Sequence, residues 1–382
     1  MVTGPLSGVS VVELAGVGPA PFAVMLLADM GASVVRIDRA GPTSGDYAPN
    51  PVVERGRRSI AVNLKDRAGV DVVRRLVARS DVFVESYRPG VAERLGLGPA
   101  DCLAVNRSIV YGRMSGFGQT GPRAGQAGHD INYISLTGAL HAIGRAGGPP
   151  VPPMNLVGDF GGGALFLAYG IACALLSVAR TGRGQVVDAN VVEGTTTLMS
   201  LVHGLSAVGL WTDARGQNLL DTGCPYYDVY ACADGRHVAV GTIERKFFET
   251  MLRVVGVDPS FAAAHRDPSR WPALRSALTT AFAGATRDEW VERFAGLDAC
   301  VTPVLDLAEA RRDPQAVARD AYAPVSGFPE AAQAAPTPRF DGETAPLPGP
   351  APTAGQHTRE ILESLGLPAG AVTALYDSGT VS

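Results

Sequence analysis

Two short stretches of this chain carry residues able to move protons. Residues 127–138 read AGHDINYISLTG and hold His129; residues 155–163 read NLVGDFGGG and hold Asp159. An imidazole and a carboxyl beside glycine-lined backbone form a candidate acid/base pair, because a fold can bring both proton affinities near neutrality. The same residues admit a plainer reading, with His129 a satisfied core histidine and Asp159 a helix cap. Spacing alone leaves both open. Asp159 precedes three glycines and an apolar run to about Ala179. It therefore falls near a helix N-terminus, where backbone N–H groups favour negative charge and could serve an enolate oxygen.

The surrounding chain must supply a scaffold for that pair. Apolar, β-rich runs at 9–14, 32–37, 59–63, 81–85 and 108–114 read as buried strands, with a further short strand at 186–188. Helical spacing fills 22–30 and 68–78, and a short helix covers 91–95. Strands alternating with helices give a parallel sheet covered on both faces, an α/β fold. Ligands on such sheets gather at the C-terminal strand ends. Arg39, Lys65, Arg88 and Arg94 all fall at or just after such ends, as an anion site would require; solvated surface cations are the bland alternative.

The first turn also raises a nicotinamide cofactor. Gly16 and Gly18 follow the first strand, and Asp38 lies about 20 residues on, where a ribose-binding acid is expected. Pro21 stands at the third glycine position and removes a backbone donor where phosphate would sit, so the fingerprint fails. Beyond a linker-like stretch at 212–223, a hairpin (225–231, 236–240), helices at 247–255, 271–282 and 288–294, and a strand at 300–305 read as a smaller α+β domain. Residues 323–355 are rich in proline and alanine and read as a long extended connection. Residues 358–365 close the chain with an amphipathic helix.

Composition narrows the function classes. The chain has 382 residues and a net charge of −4, with no basic tract, so neither nucleic acid nor an anionic membrane is expected as a partner. Its five cysteines, Cys102, Cys173, Cys224, Cys232 and Cys300, form no C-x-x-C pair. No metal-ligand spacing stands out, and a reducing, cytoplasmic setting fits. The N-terminus lacks a signal-peptide pattern, and the apolar run 164–178 reads as a buried helix too short to span a bilayer.

Taken together, LSGVSVVELAGVGPAPFAVMLLADMGASVVRIDR, ESYRPGVAERLGLGP, GRMSGFGQTGPRAGQAGHDINYISLTG, NLVGDFGGG, VAVGTIERKFF and GQHTREIL resemble the family III CoA-transferase (CaiB/BaiF-like) superfamily, and within it the α-methylacyl-CoA racemases of the bacterial type. The resemblance spans nearly the whole chain. It implies a Rossmann-like large domain with a parallel sheet plus a smaller α+β domain, in an interlocked homodimer. The large domain would take 1–205 and the return segment 323–382; 206–224 would link to a small domain at 225–322.

The resemblance also implies an isomerase that inverts the α-carbon of 2-methyl-branched acyl-CoA thioesters. His129 and Asp159 match the acid/base pair. Glu244 matches a small-domain glutamate contributed across the dimer interface. CoA contacts match Arg39; Val62, Asn63, Leu64 and Lys65; Ser86, Tyr87 and Arg88; Arg94; and Gly128, Asp130, Ile131, Asn132 and Tyr133. Ser86 stands where near relatives carry glycine, and Asn63 where they carry an acid. No metal and no resident cofactor is implied, since CoA is part of the substrate. The alternatives are a CoA-transferase using Asp159 as nucleophile and a non-catalytic CoA or nucleotide binder. Transferases of this fold usually carry an aromatic residue where His129 stands.

Overall fold

The computed structural model describes residues 4–41 and 50–382. The chain divides into two compact units. The first comprises Met1–Thr137, Met154–Leu198 and Pro314–Ser382, and the second Gly138–Pro153 and Met199–Asp313. Residues 206–224, read above as a linker, lie inside the second unit.

The first unit is built on six strands: β1 (Ser10–Leu14), β2 (Ser33–Arg39), β3 (Arg57–Val62), β4 (Val82–Glu85), β5 (Val110–Ser115) and β6 (Val186–Asn190). All pair in parallel, in the order β3-β2-β1-β4-β5-β6. That order reverses direction between β1 and β4, which makes a crevice at their C-terminal ends. Side chains alternate across the sheet. Val11, Val34, Val82, Val84 and Val110 pack on α1 (Pro19–Asp29) and the helix Leu165–Thr181. Val12, Val35, Phe83 and Tyr111 pack on α2 (Arg67–Val77) and the helix Thr358–Ser364. Burial on both faces explains why these strands read as unbroken apolar runs.

Asp159 lies inside a helix rather than ahead of one. The backbone turns helical at Leu156 and stays so to Thr181; Leu156–Ala164 is wide-turned, with the Phe160 N–H reaching Asn155 O at 3.1 Å. Over 156–181 this stretch is long and apolar enough to cross a membrane by length and composition, longer than its apolar run suggested. Leu167, Ile171 and Ala174 on it are buried in the sheet core.

The proline-rich return segment is also more structured than its composition implies. Tyr322–Val325 and Phe328–Ala334 form an antiparallel hairpin, and Gln333 accepts from Arg55, which also pairs with buried Asp29. The chain then covers the free edge of β3. His357 Nδ1 accepts the Ser59 N–H at 3.1 Å, Thr358 Oγ1 accepts the Ala61 N–H at 3.2 Å, and Thr380 O accepts the Asn63 N–H at 2.8 Å. His357, which the sequence left without a role, thus seals a sheet edge.

The second unit holds an antiparallel sheet of β7 (Tyr227–Ala231), β8 (His237–Gly241) and β9 (Val301–Pro303). Helices Arg245–Val255, Trp271–Phe282 and Arg287–Phe294 bury Phe248, Leu274, Phe282 and Trp290 against it. Residues 138–153 are fastened to this unit: Arg145 pairs with buried Asp228, and Arg215 donates to His141 O at 2.6 Å.

Candidate active site

Two cavities open at the C-terminal ends of the sheet. The larger, of about 660 Å³, is bordered by Arg39, residues 62–65 and Tyr87, with Gly379, Val381 and Ser382 on the C-terminal side. The smaller, of about 310 Å³, is bordered by Val17, Pro19, residues 86–89, Gly128, His129 and Tyr133. Tyr87 borders both. The cation-rich strand ends read from the sequence therefore separate. Arg39 and Lys65 sit on the large cavity and Arg88 on the small one, while exposed Arg94 on the helix Val91–Arg94 borders neither. None of these four cations is held in an ion pair among the described residues. Unpaired cations around a cavity suit a polyanionic ligand.

His129 immediately precedes the helix Asp130–Ile134. Its backbone N–H donates to Asn132 Oδ1 at 3.1 Å, and its ring is exposed, with no hydrogen bond among the described residues. Tyr133 is pinned in place: the hydroxyl donates to Gly128 O, and the ring meets Phe117 edge-on at 4.9 Å. Asn132 and Ile131 are exposed at the same helix start.

Asp130 is buried, and its carboxylate accepts the Asp159 N–H at 2.6 Å and the Gly158 N–H. Two consequences follow. A Cβ on Gly158 would lie 2.2 Å from Asp130 Oδ1, so only glycine fits. The backbone donors that the sequence offered to an enolate oxygen are also taken, by Asp130 and, at Phe160, by Asn155.

Asp159 itself is half-buried. Its Oδ2 lies 3.6 Å from where a Cβ on Gly18 would stand, so the carboxyl borders the 17–19 loop that walls the small cavity. Phe160 stacks on Phe22 of α1, ring centroids 4.1 Å apart, which fixes the helix start against that loop. Burial and the neighbouring Asp130 carboxylate push the Asp159 carboxyl up to about 6, and the nearby His129 imidazole opposes that rise. One weak base and one weak acid thus stand close enough to feel each other's charge, at the point where the sheet changes direction.

The family model for CoA-transferase family III matches residues 6–358. The chain belongs to CoA-transferase family III. Among its relatives, alpha-methylacyl-CoA racemase of Mus musculus is 42% identical over 391 residues, covering 98% of this chain and 97% of that protein. The protein of the same name from Homo sapiens is 43% identical over 362 residues, covering 94% of this chain and 93% of that protein. A solved CAIB/BAIF family protein from Brucella suis superposes with a TM-score of 0.81 at 25% identity, covering 95% of this chain and 100% of that one.

Glu244 stands at the start of the helix Arg245–Val255 in the second unit. It is exposed, and its carboxylate accepts no hydrogen bond among the described residues. Sequence reasoning missed the 379–382 segment on the large cavity and the clasp of Asp130 on Gly158 and Asp159. The first is a pairing across about 300 residues with no local signal. The aspartate after His129 and the glycine before Asp159 were visible hints of the second.

Proposed function

We propose that this chain is an isomerase, a racemase of 2-methyl-branched acyl-CoA thioesters. The thioester carbonyl makes the α-hydrogen acidic by spreading carbanion charge onto oxygen. Neutral His129 takes the proton from one face. Protonated Asp159 returns one to the other face of the planar enolate, and the roles exchange in the reverse direction. Each group contributes about 10²–10⁴-fold. The observation that carries this reading is the Asp159 carboxyl, raised to about 6 beside His129. A carboxyl so placed keeps a share of its proton near neutrality, as an acid must. The identity to the two racemases supports the same conclusion.

CoA would lie along the large cavity, its phosphates facing Arg39 and Lys65, with the thioester reaching past Tyr87 to His129. The remaining CoA contacts from the sequence, Arg94, Ile131 and Asn132 among them, belong to the same proposal. The working form is a homodimer in which Glu244 of one chain orients His129 of its partner; the exposed, unengaged Glu244 carboxylate supports this. A cytoplasmic setting accords with five free thiols, Cys173 and Cys300 of them exposed.

The second reading is a family III CoA-transferase, in which ionised Asp159 attacks the thioester and carries the acyl group as an anhydride. Incubating a chiral 2-methylacyl-CoA in D₂O without any acceptor acid separates them. α-Deuterium with loss of chirality is the racemase result. Activity that appears only on adding a carboxylic acid is the transferase result.

A further inference from the structure

Bordering neither cavity lies a chain of charges, buried at Glu85 and Arg113 and exposed at Glu93. Glu85 ends β4 at the point where the sheet reverses, and is 1% exposed. Strand register sets buried Arg113 of β5 directly beside it. One Glu85 oxygen accepts Arg113 Nε at 3.2 Å, and the other accepts the backbone N–H of Tyr87 at 2.7 Å. Arg113 Nη2 donates in turn to Glu93 at 2.9 Å, on the helix that carries Arg94. Charges buried this way rarely add net stability over apolar packing. They do fix geometry, because each partner is held from a defined direction.

We infer that Glu85 and Arg113 are positioning residues for the CoA moiety: they set the Tyr87–Arg88 corner, and through Glu93 the helix of Arg94, without touching the ligand. The inference rests on the CoA-thioester reading above. Tyr87 borders both cavities, so a shift of its backbone moves the wall between the nucleotide end and the reacting end.

Glu85 is faced by Arg113 and Tyr111 from β5, Tyr87 from the loop after β4, Glu93 from the Val91–Arg94 helix and Cys102 from the Pro99–Val105 helix, and Asp188 of β6 faces Arg113 from the opposite strand. Arg113 is the one cation among these groups. Burial pushes the Glu85 carboxyl up to about 7, against the pull of the Tyr87 N–H and Arg113. As pH falls through neutrality the carboxylate takes a proton, its hold on Arg113 weakens, and CoA affinity falls.

Calorimetric binding of free CoA, with kcat and KM for α-deuterium exchange, tests the inference on the full chain. Glu85→Gln keeps the shape and an acceptor for Tyr87 but removes the charge facing Arg113. Kd and KM are expected to rise about tenfold, the size of one charge-assisted hydrogen bond, with kcat within about twofold. The pH dependence of Kd in this variant should be shallower than in the wild type. Glu93→Gln, at the exposed end, should raise Kd about threefold and reads the same axis if Glu85→Gln does not fold. Unchanged Kd in both variants, a fall in kcat at constant Kd, or a lower Tm with wild-type CoA binding overturns the inference. Free CoA binds without turnover, so this measurement stays readable even if the isomerase reading fails.

Discussion

Asp159 holds a carboxyl where the fold resists its charge, and that resistance has a measurable cost. An unfolded aspartate titrates near about 3.9; in the fold, burial and Asp130 push Asp159 up to about 6. The native state therefore binds the extra proton, and ionising it costs at most about 3 kcal/mol. The penalty is absent below about pH 4 and complete above about pH 6. Asp159→Asn should accordingly melt higher than wild type at about pH 7.5, with the difference vanishing near pH 4, while α-proton exchange of the enantiomer deprotonated by Asp159 falls by about 10²–10⁴-fold. Thermal melts across pH and exchange rates by NMR check both halves. An asparagine variant no more stable than wild type above neutrality would mean the carboxyl is not strained by its surroundings.

At the scale of elements, a clasp between two helix starts would position the proposed acid/base pair. Asp130, one residue after His129, holds the backbone at Gly158 and Asp159. Asp130→Ala should leave those two amides unpartnered and cost about 1–3 kcal/mol. Gly158→Ala, whose Cβ would meet Asp130 Oδ1 at 2.2 Å and Ile134 Cγ2 at 2.7 Å, should lose at least about tenfold in exchange rate. If either variant keeps full activity and Tm, the clasp does not position Asp159. The parallel strands were legible in sequence because burial on both faces writes a continuous apolar run, as in Val82, Phe83 and Val84 of β4. The wide helical turns at Leu156–Ala164 were not, since three successive glycines mask periodicity. The sealing of the β3 edge by His357 and Thr358 was also hidden, because a hydrogen bond between residues 298 apart leaves no local trace. Spacing alone left the pairing of His129 with Asp159 ambiguous, and only the resemblance carried by the motifs around both pointed to it.

At the scale of the whole molecule, the first unit leaves Leu165, Tyr169 and Leu176 exposed along one helix, at 51%, 69% and 55%. An apolar stripe of this kind marks an interaction surface, and the proposed homodimer would cover it. If Glu244 serves the partner's active site, chains bearing His129→Ala and Glu244→Ala should complement when co-expressed. The mixed dimer has one doubly damaged site and one intact site, so it should recover about half of wild-type activity. A glutamate acting within its own chain gives no recovery.

The proposed racemisation requires two groups working from opposite faces of one carbon. The decisive measurement is α-proton exchange in D₂O for each enantiomer of a 2-methylacyl-CoA, in His129→Gln and in Asp159→Asn. Each variant should keep exchange of one enantiomer at least about 10²-fold faster than the other, with the preference reversed between the two. Equal loss of exchange for both enantiomers in both variants would contradict it.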